Sequence, residues 1–161
     1  MTVCMPKPHE VLRLLSAITD ERGVLSRAED PWDLNRIPAG THVTYLLDDA
    51  GETRGAVVTD INATVYLGGR LILMPETDQL DMARRLEVDE SLTDAVSEVL
   101  NMTRSVFNHQ EGNEHLSPTP TRALETPRPD GPEAWLLAPS ARLDLAGNCA
   151  LGALRIAFLL R

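Results

Sequence analysis

Between Leu92 and Phe107 the apolar side chains fall at positions 92, 95, 96, 99, 100, 103 (by the Thr103 methyl), 106 and 107. That i, i+3, i+4, i+7 spacing predicts an amphipathic helix with one continuous buried stripe. No other stretch constrains the fold as much, because such a stripe must be covered by a sheet or by further helices. At about 100° per residue, Asp94, Glu98, Asn101 and Ser105 cluster within roughly 60° of one another on the water side. Asparagine is a weak helix former, since its amide competes for backbone hydrogen bonds. A mid-helix Asn101 therefore points to a use other than helix stability, although the strip by itself also fits an ordinary solvated face. Either Asp89 or Ser91 can cap this helix. Ser91-x-x-Asp94 has the form of a capping box, which would make Asp94 a capping group and not a contact residue.

Other elements can be read on both sides of this helix. His9 to Ile18 carries Val11, Leu12, Leu14, Leu15 and Ile18 at helical spacing. Asp20 to Ala39, with Pro31 and Pro38, reads as a loop with Trp32 and Leu34 tucked inward. Thr41 to Leu47 and Thr53 to Thr59 form a hairpin around Asp48-Asp49-Ala50-Gly51-Glu52, where Gly51 supplies the positive φ of the turn. From Asp60 to Met74 two readings stand: a helix capped by Asp60, or a hairpin of Thr64 to Leu67 and Arg70 to Leu73 around Gly68-Gly69. Local propensity favours the strands. Pro75 ends the element in both cases, and Gln79 to Leu86 reads as a short helical turn. A strand is expected from Thr121 through Leu124, a surface loop over 126–133, and two final strands, Ala141 to Ala146 and Ala153 to Leu160, flanking Gly147-Asn148. Together these elements predict one α+β domain over residues 1–161, an antiparallel β-sheet with two or three helices packed on it.

Composition excludes several classes. The chain has 161 residues, 43% hydrophobic and only 4% aromatic, so its core must be built from Leu, Val, Ala and Ile. A net charge of -9 without a basic stretch argues against nucleic acid, which needs clustered cations. The N-terminal Met-Thr-Val-Cys-Met-Pro-Lys-Pro lacks the apolar core of a signal peptide, and Leu151 to Leu160 is too short to span a bilayer. A cytosolic protein without membrane contact is expected, with Cys4 and Cys149 as free thiols. His109, Glu111 and His115 match no helical ligand spacing and read as solvated loop residues, so no metal site is expected. Nucleophile elbows, phosphate loops and dinucleotide fingerprints are absent.

Asp94-x3-Glu98-x2-Asn101, followed by Met102 and led in by Val88-Asp89-Glu90-Ser91-Leu92, resembles the signature helix of the CheC/CheX/FliY family of chemotaxis phosphatases. The resemblance is close from Val88 to Met102 and looser from about Gly55 to the C-terminus. A single copy of the motif makes the chain more similar to CheX than to two-site CheC relatives. Thr103-Arg104-Ser105 stand where relatives commonly carry a small residue, and the family's following proline is represented by Pro118 or Pro120. The resemblance favours the helix over residues 60–74. It implies a phosphatase that hydrolyses the aspartyl phosphate of a response-regulator receiver domain by positioning a water. Asn101 would orient the water and Glu98 would pair with the receiver's active-site lysine, these two being the catalytic residues. Asp94, Ser97 and Ser105 would contact the partner. No cofactor of its own is implied, the Mg²⁺ being supplied by the receiver, and a homodimer is compatible with the resemblance. The alternative is a non-catalytic module that docks on a response regulator or a flagellar switch component.

Overall fold

The computed structural model describes residues 3–161. A seven-stranded antiparallel sheet carries four helices, where two or three were expected. The helix read between Leu92 and Phe107 is α4 (Glu90–Asn108), which buries Leu92, Val96, Val99, Leu100 and Phe107. Its cap is Asp89, whose carboxylate accepts the Leu92 N–H at 2.8 Å. Ser91 and Asp94 thus lie inside the helix, and Asp94 is released from the capping role.

α1 (Pro8–Thr19) packs beside α4. α2 (Ile61–Leu71) resolves the ambiguous segment as a helix, with Asp60 accepting the Ala63 N–H at 2.7 Å. Ile61 and every residue from Ala63 to Gly69 are buried. A helix hidden on nearly all sides shows no amphipathic period, so its β-branched residues suggested strands when only propensity was available. Gly68 lets α2 approach α4, because a Cβ there would lie 2.9 Å from Leu92 Cδ1 and 3.0 Å from the Leu92 carbonyl. α3 (Glu76–Arg85) is a full ten-residue helix and not the short turn expected from Gln79. Glu76 and Asp78 in its first turn and Arg84 and Arg85 in its last complement the helix dipole.

The strands are β1 (Leu25–Arg27), β2 (His42–Leu47), β3 (Thr53–Thr59), β4 (Ser117–Pro118), β5 (Arg122–Ala123), β6 (Ala141–Cys149) and β7 (Gly152–Leu160). They run in the order β1-β6-β7-β3-β2-β4, with β5 also on β2. β1 lies inside the segment read as loop. The β6–β7 turn falls at Ala150-Leu151, beyond the expected Gly147-Asn148. Gly147 instead faces Leu25 within the ladder, where a Cβ would lie 2.0 Å from the Val24 carbonyl oxygen. That glycine serves the close approach of β1.

Both sheet faces are covered. Leu143, Leu145, Ile156 and Phe158 meet the helices, with the Phe107 and Phe158 rings 6.0 Å apart. On the other face, Val43, Val58, Ala157 and Leu159 lie under Trp32, Leu34, Leu124 and Leu136, the last in a 3₁₀ turn, Ala134–Leu137. Asp144 holds this cover down. Its carboxylate accepts the Trp32 N–H at 2.9 Å and pairs with Arg142 at 2.6 and 2.7 Å, while Arg142 donates to the Trp32 carbonyl at 3.0 Å. Among the described residues no helix is long and apolar enough to cross a membrane, and Cys4 and Cys149 are free.

Candidate functional site

The outer strip of α4 separates into side chains with internal partners and side chains without. Thr93 returns its hydroxyl to the helix backbone, at the Asp89 carbonyl. Ser105 does the same at the Met102 carbonyl, 2.7 Å away. Asn108 is committed in both directions to Leu116, donating to its carbonyl at 3.2 Å and accepting its N–H at 2.9 Å. Ser97 Oγ lies 2.8 Å from the Thr93 carbonyl and 3.0 Å from Thr121 Oγ1, and accepts the Thr121 N–H at 3.1 Å. Asp94, Glu98 and Asn101 have no such partner among the described residues. They line an open groove of about 290 Å³ with Ser97, Pro118, Thr119 and Pro120. Asp94 and Glu98 are exposed and Asn101 is half-buried.

This arrangement divides the five residues singled out in the sequence. Asp94, Glu98 and Asn101 come together, one turn apart on one helix face, with unspent polar atoms toward solvent. Ser97 lies in the groove but its hydroxyl is engaged inside the fold, so it is not free to contact a partner. Ser105 lies elsewhere, in a separate hollow between α1 and α4 with Arg13, Leu14 and His109. The angular cluster placed it with the other three, but α4 is long enough for its last turns to border α1 while its middle borders the segment after it.

The groove's far wall was not legible as part of a site. It is the strap from Leu116 to Leu124, held against β2 by β4 and β5. Thr119 donates its N–H to the Tyr45 carbonyl at 2.8 Å and accepts the Tyr45 N–H on its hydroxyl at 3.0 Å. The sequence signal was Pro118-Thr119-Pro120-Thr121, two prolines alternating with two hydroxyls. The contacts that give it meaning span 24 and 74 residues.

Arg104, half-buried, pairs with no acid among the described residues. His109 Nδ1 lies 2.6 Å from the Ser105 carbonyl and His115 Nδ1 3.0 Å from Asp49 Oδ1. No group of three or more His, Cys, Asp or Glu among the described residues is placed to hold a metal ion. The carboxyl whose affinity for protons departs most from the ordinary lies outside the groove. Burial pushes Asp60 up to about 6, against backbone hydrogen bonds from Ala63 and Arg155 and the Arg155 charge. It is a helix cap at a strand end, and its shift reflects packing.

No family profile and no curated protein sequence matches the chain. Solved structures do match. A chain of the CheX–CheY–BeF3–Mg²⁺ complex from Borrelia burgdorferi aligns with a TM-score of 0.54 and 12% identity, over 98% of this chain and 99% of that one. The chemotaxis protein CheX from Vibrio vulnificus aligns with a TM-score of 0.53 and 11% identity, over 95% of both chains. The FliM middle domain from H. pylori aligns with a TM-score of 0.56 and 10% identity, over 95% of this chain and 84% of that one. Agreement over nearly the whole length at such low identity is agreement of fold. The antiparallel sheet, the helices on its one face and the helix bearing Asp94, Glu98 and Asn101 give this chain the CheC/CheX-like α+β fold.

Proposed function

We propose that this chain is a CheX-like phosphatase acting on the aspartyl phosphate of a response-regulator receiver domain. The observation that carries the reading is that Asp94, Glu98 and Asn101 alone keep unpaired polar atoms on the groove side of α4, where the neighbouring hydroxyls and Asn108 are spent internally. An acyl phosphate is intrinsically reactive, so the assisting protein needs no nucleophile of its own. It needs to hold a water in line with phosphorus while the bond to the carboxylate oxygen breaks. An amide suits this, because its oxygen accepts from water while its NH2 donates. Asn101 takes that role. Glu98 reaches out to the receiver's lysine and keeps the two proteins in register, and Asp94 extends the docking strip. The Mg²⁺ of the reaction belongs to the receiver.

The test is phosphate release from the phosphorylated receiver domains of the same source. Asn101→Ala should slow assisted hydrolysis roughly 10²-fold, the scale for losing one positioned polar group. Glu98→Ala should raise KM and leave turnover of the bound receiver closer to wild type. An Asn101→Ala variant as fast as wild type removes the proposed chemistry. A second reading, a docking module without hydrolysis, is favoured by the equal likeness to the FliM middle domain and by Arg104 at a position where relatives commonly carry a small residue. It is distinguished by tight retention of a beryllofluoride-bound receiver with no acceleration of phosphate loss.

A further inference from the structure

The strap that walls the groove is tied to α4 at two points. Asn108 holds it at Leu116 and Ser97 holds it at Thr121. These ties are eleven residues apart on the helix, about 16 Å at 1.5 Å per residue, and Asn101 lies between them. The strap is irregular opposite Asn101. Leu46 of β2 pairs with Pro118 and Val43 pairs with Arg122, so between these pairs the strap carries one residue more than β2. This is a β-bulge, and bulges re-aim the residues around them.

Side chains supplement the one backbone bond kept within the bulge, Thr119 N–H to the Tyr45 carbonyl at 2.8 Å. Thr121 is buried, and its hydroxyl lies 2.7 Å from Thr44 Oγ1 on the sheet side and 3.0 Å from Ser97 Oγ on the helix side. Thr119 replaces a ladder bond with its own hydroxyl at Tyr45. Pro118 and Pro120 fix φ on either side and remove slack from the segment. A buried hydroxyl between two others connects β2, the strap and α4 at one point, and the tie on α4 is the residue just before Glu98.

We infer that Ser97 and Thr121 are positioning residues for the Glu98–Asn101 pair, holding the bulged strap at a fixed distance across the groove. The inference rests on the proposed phosphatase reading for its activity arm, and on hydrogen bonding alone for its structural arm. Neither residue touches the reacting atoms. Both set the width of the space into which a partner and its water must fit, and loosening that wall relaxes alignment more than affinity.

The experiment compares Ser97→Ala, Ser97→Thr and Thr121→Val with wild type by amide hydrogen exchange and by phosphate release from a phosphorylated receiver domain. Ser97→Ala and Thr121→Val should speed exchange of the Thr119 and Thr121 amides at least tenfold while β6 and β7 amides stay unchanged. Their kcat should fall about tenfold with KM within twofold of wild type, and Ser97→Thr should recover both. Unchanged exchange at Thr119 and Thr121 overturns the inference, and so does an unchanged kcat on a loosened strap. A wild-type chain that hydrolyses no receiver phosphate overturns the phosphatase reading instead, and the exchange arm still decides whether Ser97 and Thr121 hold the strap.

Discussion

Asn101 occupies a helix interior that an alanine would stabilise, and its amide has no partner among the described residues. The variant that removes function should therefore be slightly more stable. Asn101→Ala should gain about 0.5 kcal/mol in denaturant unfolding, from the difference in helix propensity. A loss would mean that the amide has a structural partner in solution. Asp60 gives a second expectation, from burial and not from function. Its folded value of about 6 lies above the ordinary 3.8, so the folded state holds the proton more tightly than the unfolded chain. The stability it contributes is complete below about pH 4 and is lost as pH rises through about 6. Asp60→Asn keeps the capping acceptor and removes the titration. Relative to that variant, wild type should lose on the order of 1–3 kcal/mol between pH 4 and pH 7.5, and a flat difference would contradict this. At this scale the sequence showed which polar residues share a helix face, because angle follows from spacing. It could not show that Ser97 is satisfied by Thr121, because that contact is a product of the fold.

The helices most easily read were those with one wet side. α4 and α1 show their period because water meets one side of each, whereas the largely buried β2–β3 hairpin is marked by its turn, Asp48 to Glu52, and by its β-rich composition. α2 has almost no wet side, and its helix became legible only through the family resemblance. α3 was shortened for a different reason, namely the residues at its ends. Pro75 ends the preceding element and is also the N-cap of α3. The usual glycine stop signal is missing, since Leu73 after α2 and Leu86 after α3 adopt left-handed φ of 54° and 56°. Leu73 closes α2 by the two hydrogen bonds of a Schellman motif, Leu73 N–H to Arg70 and Met74 N–H to Gly69, while its side chain is 89% exposed. Leu73→Gly should therefore stabilise the protein by about 0.5–1 kcal/mol, read as an upward shift in Tm. A decrease would show that the Leu73 side chain makes a contact that offsets its strained backbone.

Across the whole molecule, the sheet separates the proposed chemistry from the second half of the core. The helix face carries α4 and the groove, while the opposite face depends on a loop cover fastened by Asp144, Arg142 and Trp32. The α+β class was legible from the mixture of periods. The two-sided burial was not, because the cover is irregular chain brought back by polar contacts more than 100 residues apart. Asp144→Ala leaves Arg142 with its charge uncompensated under a quarter-exposed side chain and should cost about 2–3 kcal/mol. Trp32 emission should shift to the red, while kcat on a phosphorylated receiver stays within twofold of wild type; an equal loss of kcat would mean the two faces are coupled. The strap prolines also bear on how molecules meet. Thr119 turns its N–H inward to Tyr45, so the amides on either side of it would turn outward, and both are imino acids without a proton to give. At these two positions the rim has no N–H with which a foreign strand could zip up, and the far rim, β1, is three residues long. Open-ended stacking of copies is discouraged at both rims, and a visitor beside Asn101 meets no backbone donor at Pro118 or Pro120.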